Sequence, residues 1–232
     1  MTRTPLLLLP GLLLDERLFA AQIEGLADIA EPRVGDLREA ETMAELAEQA
    51  LATAPDRFAL CGLSMGGYLA LEMVCRAPER VSKLALLDTQ ARADPPEILE
   101  RRLAQIAQAG RGGFDQVLAQ LLPLAVHPER QADPALMGAV EAMARDAGPE
   151  VFVRQQRAIM SRADLTSALG AIVCPTLVLC GRQDELTPVD RHEEMAAAIP
   201  TATLVVLPRC GHLSPLERPA EVTAQLRLWL EA

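Results

Sequence analysis

The sequence predicts an α/β fold class: a sheet of about six mostly parallel strands flanked by helices. Three observations predict it. Short apolar runs alternate with longer stretches of helical spacing, the pattern of a parallel sheet covered by helices. Gly62-Leu63-Ser64-Met65-Gly66-Gly67 lies between an apolar run and a helical segment. Small residues two before and two after a serine suit a sharp strand-to-helix turn, where a Cβ would clash. From 94 to 167 the alternation stops and only helical patterns remain.

Thr4 to Leu9 is a continuous apolar strand, closed by Pro10-Gly11. Helical spacing follows from Leu18 to Leu26, and Ile29 to Val34 is a further strand candidate. Met43 to Thr53 is a helix, with Met43, Leu46, Ala47, Ala50 and Leu51 on one face. Arg57 to Cys61 is the strand entering the serine turn; Tyr68 to Ala77 is the helix leaving it, stopped by Pro78. Val81 to Leu87 is a buried strand ending at Asp88. Four helical blocks then run near 95–109, 113–122, 133–146 and 149–163, punctuated by glycines and prolines. Strand and helix resume at Thr176–Cys180, Arg191–Ile199, Thr203–Leu207 and Ala220–Leu230. This divides the chain into an α/β core of 1–93 and 168–232 and a helical cap, or lid, of 94–167.

Composition narrows the function. A chain of 232 residues, 50% apolar, can bury a sizeable core, built from aliphatic residues because aromatics are only 3%. A net charge of −10, with Lys83 the single lysine and no basic stripe, argues against nucleic acid. The five cysteines are odd in number and lack CxxC spacing, so they read as reduced thiols of a cytoplasmic protein, with no metal site. Leu6–Leu9 and Leu12–Leu14 superficially resemble a secretory signal, but Pro10-Gly11 interrupts the run. No stretch is long enough to insert into a membrane.

The chemistry begins at Ser64. A serine hydroxyl needs a neighbouring base to become nucleophilic, and histidine suits neutral pH. Of the three histidines, His212 follows the last apolar strand, where the C-terminal edge of a parallel sheet presents ligand-facing residues. His192 lies in the charged start of a helix and reads as solvated; His127 belongs to the cap. The base needs an acid to orient it. Asp184, just past the preceding strand, is the first candidate, with Asp88 and Glu185 as alternatives. Asp88 otherwise caps or braces the entry to the cap helices. An oxyanion hole needs two backbone N–H groups. Met65 supplies one, and the loop after the first strand the other, from Leu12 or, second, Leu13.

The stretches Leu8-Leu9-Pro10-Gly11, Gly62-Leu63-Ser64-Met65-Gly66-Gly67, Gly181-Arg182-Gln183-Asp184 and Gly211-His212 resemble the α/β-hydrolase fold family over nearly the whole chain. Within it the sequence is most similar to small bacterial esterases and lactonases, such as pimeloyl-carrier methyl ester esterases and 3-oxoadipate enol-lactonases. The resemblance implies a Ser64–Asp184–His212 triad and a cap over the pocket. It departs in having Pro10-Gly11 where the family commonly has His-Gly, and in missing the usual first β-hairpin. The implied reaction is hydrolysis of a small-molecule carboxylic ester, lactones and thioesters included, through an acyl-enzyme on Ser64 with no cofactor or metal. Similar triads serve C–C bond hydrolases, perhydrolases and hydroxynitrile lyases, and a binding protein without turnover is the reading from another class. The apolar cap faces suggest an apolar acyl or alcohol group. Arg154, Arg157 and Arg162 are candidates for a substrate carboxylate, with surface solvation as the default reading.

Overall fold

A computed structural model describes residues 3–232. Its strands are β1 Thr4–Leu9, β2 Ala30–Val34, β3 Phe58–Leu63, β4 Val81–Leu87, β5 Thr176–Gly181 and β6 Ala202–Leu207. Its helices are α1 Ala20–Gly25, α2 Met43–Thr53, α3 Met65–Arg76, α4 Pro96–Gln108, α5 Phe114–Leu121, α6 Pro134–Met160, α7 Val189–Ala198, α8 Ser214–Glu217 and α9 Pro219–Glu231. The strands form one sheet in the order β2-β1-β3-β4-β5-β6, with every neighbouring pair parallel. The expected Leu18–Leu26 helix is in part tighter, since Glu16–Phe19 is a 3₁₀ turn capped by Asp15.

Central strands of a parallel sheet are buried on both faces, so they read as unbroken apolar runs. Side-chain alternation along them nevertheless separates two cores. Leu7, Leu9, Leu60, Leu84, Leu86 and Val178 face one side, beneath α2, α3 and Met195 of α7. Leu6, Leu8, Ala59, Cys61, Ala85, Leu87, Leu177 and Leu179 face the other, covered by Leu18, Phe19, Leu26 and by Val222, Leu226 and Trp229 of α9. Each buried Leu contributes about 1.5–3 kcal/mol, which is ample without disulfides.

A third cluster joins Leu13 of the loop after β1 to Ala109, Val117, Leu118, Ala144 and Phe152. The helices between 94 and 167 therefore pack on one another and on the loops at the carboxyl ends of the strands. Gly148 (φ 80) breaks α6 internally, just before Pro149, giving the two helical blocks that the sequence pattern separates at this point. Among the described residues no helix is long and apolar enough to cross a membrane.

Candidate active site

Ser64 stands between β3 and α3 with φ 53 and ψ −114. That left-handed backbone is costly for a non-glycine residue and persists only where its surroundings over-determine it. The surroundings are specific. A Cβ on Gly62 would overlap the Gly66 carbonyl, and one on Gly66 would overlap the Leu9 carbonyl, so both must lack a side chain. The Ser64 N–H donates to Leu87 O (3.0 Å), and the Thr89 hydroxyl donates to Ser64 O (2.8 Å). β4 thus pins the turn from the side.

His212 lies on the loop between β6 and α8. Its Nε2 is 2.8 Å from Ser64 Oγ, and its Nδ1 is 2.8 Å from Asp184 Oδ2. Asp184, on the turn after β5, also accepts from Leu186 N (2.9 Å), Thr187 N (2.9 Å) and the Thr187 hydroxyl (2.7 Å). Both side chains are buried. Burial by itself would push the carboxyl up, yet the His212 ring and the Thr187 donors hold it below the ordinary aspartate value. Burial likewise disfavours imidazolium, but the Asp184 charge outweighs it and raises His212 above 6.5. The ring is therefore oriented by Asp184 and made more basic chiefly by it, with Asp88 and Glu217 adding to the effect.

Glu217 of α8 holds the histidine loop. Its buried carboxylate accepts from Gly211 N (2.9 Å), Leu213 N (3.3 Å) and His127 N (2.8 Å). His127 itself is buried and its Nδ1 accepts from Glu129 N, so it closes a local turn. Glu185 is exposed. Asp88 does not brace the entry to the 94–167 helices as expected. It is fully buried, accepting from Gly181 N (3.0 Å), Ser214 N (3.2 Å) and the Ser214 hydroxyl (2.5 Å). Asp88 thus ties the end of β5 to the residue two beyond His212, and burial with the nearby Asp184 charge pushes its pKa up to about 8.

His192 corrects the sequence reading more sharply. It is not solvated but completely buried, its Nε2 accepting from Thr89 N at 2.9 Å. The charged neighbours in Arg191-His192-Glu193-Glu194 hid this, because the one fully buried position sits among three that stay partly or fully exposed. Thr89 and His192 carry no recognisable signal, because they meet each other across 103 residues, and the distant partner of Glu217 is His127, 90 residues earlier. Thr187 does carry one, since an aspartate bonding the third amide beyond it is a common turn.

The loop after β1 turns at Gly11-Leu12-Leu13-Leu14, with Leu14 N bonded to Gly11 O (3.1 Å) and Leu13 at φ 61. The Leu13 N–H is committed to Gln155 Oε1 (2.8 Å), and Gln155 in turn donates to Leu37 O (3.2 Å). Among the described residues neither Leu12 N nor Met65 N has a hydrogen-bond partner. Met65 follows Ser64 in the chain, and Leu12 shares with Ser64 the lining of a cavity of about 290 Å³. The walls combine Leu12, Leu63, Leu121, Leu122 and Ile159 with Asp94, Arg101, Arg102 and Arg191. Of the three arginines weighed for a substrate carboxylate, Arg154 donates to Arg38 O, Arg157 pairs with Glu41, and Arg162 is not solvated but buried against Asp94. None of these three lines the cavity.

A pimeloyl-(acyl-carrier protein) methyl ester esterase of Nitrosomonas europaea is 29% identical over 154 residues, covering 64% of this chain and 61% of that protein. The match thus spans less than two thirds of that relative's length. A thermophilic esterase from Thermogutta terrifontis superposes with a TM-score of 0.90 at 32% identity, over 99% of this chain and 90% of the other. The enol-lactonase from Burkholderia xenovorans LB400 shares the fold, with a TM-score of 0.90 at 24% identity over 100% and 93%. Residues 36–219 match the family model of the alpha/beta hydrolase fold, and the chain belongs to that family.

Proposed function

We propose that this protein is a serine hydrolase that cleaves carboxylic esters through an acyl-enzyme on Ser64. The unbroken hydrogen-bonded chain from Ser64 Oγ through His212 to Asp184, opening on a cavity, supports this most directly. In the first step Oγ attacks the ester carbonyl while His212 Nε2 takes its proton. The Leu12 and Met65 amides, unspent elsewhere, receive the oxyanion. Collapse breaks the ester C–O bond, and His212 returns the proton to the leaving alcohol. Water, deprotonated by His212, then attacks the acyl-enzyme and releases the acid. Asp184 stays ionised and fixes the ring orientation throughout.

The helices of 94–167 act as a cap over the pocket, and the cavity leucines take an apolar portion of the acyl or alcohol group. The relatives named as esterases are consistent with this chemistry. The five unpaired cysteines suit a reducing, cytoplasmic setting.

A p-nitrophenyl ester panel with Ser64→Ala tests the mechanism. The variant should keep its melting temperature and lose turnover by a factor on the order of 10³ or more. A fluorophosphonate should label the wild type stoichiometrically at Ser64. Undiminished hydrolysis by Ser64→Ala, or labelling elsewhere, removes the assignment.

A further inference from the structure

We infer that the cavity beside Ser64 takes esters carrying a free carboxylate remote from the scissile bond, held by Arg102 with Arg101 and Arg191 nearby. This rests on the hydrolase reading above and adds the substrate class to it.

The charge of the cavity wall runs against that of the molecule. The chain carries a net −10, yet the charged side chains lining the cavity are three arginines and one aspartate. That aspartate is already taken. Asp94 accepts from Arg162 Nη2 (2.5 Å) and Nη1 (2.9 Å), and from Arg102 Nε (2.6 Å). Arg162 is locked behind the wall by further bonds to Arg92 O and Ile159 O and by stacking 4.3 Å over the Tyr68 ring. Two cations sharing one carboxylate leave an excess positive charge in a low-dielectric place, which favours an anion there.

Arg102 is the side chain placed to use it. Its Nη1 is fixed by Gln156 Oε1 (2.6 Å) and its Nε by Asp94, so the guanidinium plane is set. Among the described residues Nη2 has no partner, although the side chain is only 15% exposed. A pre-oriented, mostly desolvated guanidinium with unused donors matches a planar carboxylate, and better than an ammonium would. Arg101 has no acidic partner among the described residues, and Arg191 meets only Asp190, at 3.7 Å. Arg101 can add to the field without being neutralised, while Arg191 adds less because Asp190 partly offsets it. The carboxylate can sit on the acyl side of the ester or on the alcohol side; either source presents the same group to Arg102.

Paired substrates test this. Monomethyl adipate is compared with dimethyl adipate, and 5-acetoxypentanoate with pentyl acetate, in wild type, Arg102→Gln and the surface control Arg145→Gln. The charged member of at least one pair should be preferred by roughly tenfold or more in kcat/KM, and the pair that shows it identifies the side. Arg102→Gln should reduce that preference by roughly tenfold, chiefly through KM, while Arg145→Gln leaves the ratio at the wild-type value. Arg162 keeps Asp94 paired, so the variant leaves no buried carboxylate without its cation. Calorimetric binding of adipate, which needs no turnover, should weaken in Arg102→Gln by a similar factor. Ser64-dependent hydrolysis with no charge preference, or a preference and adipate binding unchanged in Arg102→Gln, overturns the inference while leaving the hydrolase reading intact. Arg102-dependent adipate binding without hydrolysis of any ester supports the carboxylate site and sinks the hydrolase reading instead.

Discussion

Lowering the pH through 6.5 should cost this protein stability at one buried imidazole, His192. The ring is fully buried and accepts the Thr89 N–H at Nε2, with Nδ1 facing Pro188 O at 3.3 Å. A proton on Nε2 would meet a donor instead of an acceptor. Burial holds the folded-state pKa at about 4, against 6.5 for an ordinary histidine, although the Asp184 charge pulls the other way. Between those values the unfolded chain binds a proton that the folded chain refuses, so stability falls as pH drops from about 6.5 toward about 4. At about pH 4.5 the linkage amounts to about 2.5 kcal/mol relative to about pH 8. Urea unfolding of wild type and His192→Gln at those two pH values reads it. Glutamine keeps an acceptor and cannot titrate. Other titrations largely cancel in the difference. His212, raised in the fold, contributes stability present below 6.5 and lost as pH rises through its folded value. Asp184, lowered in the fold, loses its contribution only below 3.8. The stability gap should shift by about 2.5 kcal/mol in favour of the variant at the acid pH. A gap that stays constant to within about 0.5 kcal/mol refutes the buried-neutral assignment.

Further outcomes follow from the same geometry. Asp184→Asn should lower kcat by about 10⁴. In the wild type the acid limb of the kcat/KM profile should lie above pH 6.5, because activity needs neutral His212 and the ring's pKa is raised; a limb below that value contradicts the pairing. Gly66→Ala forces a Cβ into the Leu9 carbonyl, a backbone atom that cannot step aside. It should destabilise by about 3 kcal/mol or more, seen as a large drop in melting temperature or loss of soluble protein. Gln155→Leu removes the acceptor that holds Leu13 at φ 61. It should cost about 1–3 kcal/mol of stability and lower kcat on p-nitrophenyl esters more than it changes KM.

Local pattern made much of this molecule readable. Met43–Thr53 and Val81–Leu87 have the boundaries their apolar spacing predicts, because an amphipathic helix and a doubly buried strand each write their burial into a short window. The Gly62–Gly66 pair was legible for a similar reason: its clashes are with backbone four to five residues away or with β1 and the residue after it. His192 was not legible. A buried position inside a run of charged residues looks solvated until the partner, Thr89, 103 residues earlier, is known. The role of Asp88 is hidden likewise, since its partners are Gly181 at the end of β5 and Ser214 at the start of α8.

The sequence by itself determined the α/β order, the serine turn and the short set of residues that the turn could use. Those follow from periodicity, glycine placement and the scarcity of histidine, all of them properties of short segments. Tertiary structure alone decided which groups are spent and which are free. Leu13 N is engaged by Gln155 while Leu12 N is not, and Arg162 is sealed behind Asp94 while Arg102 faces the cavity. Hydrogen-bond accounting of that kind depends on groups brought together from distant parts of the chain, and no local window contains it.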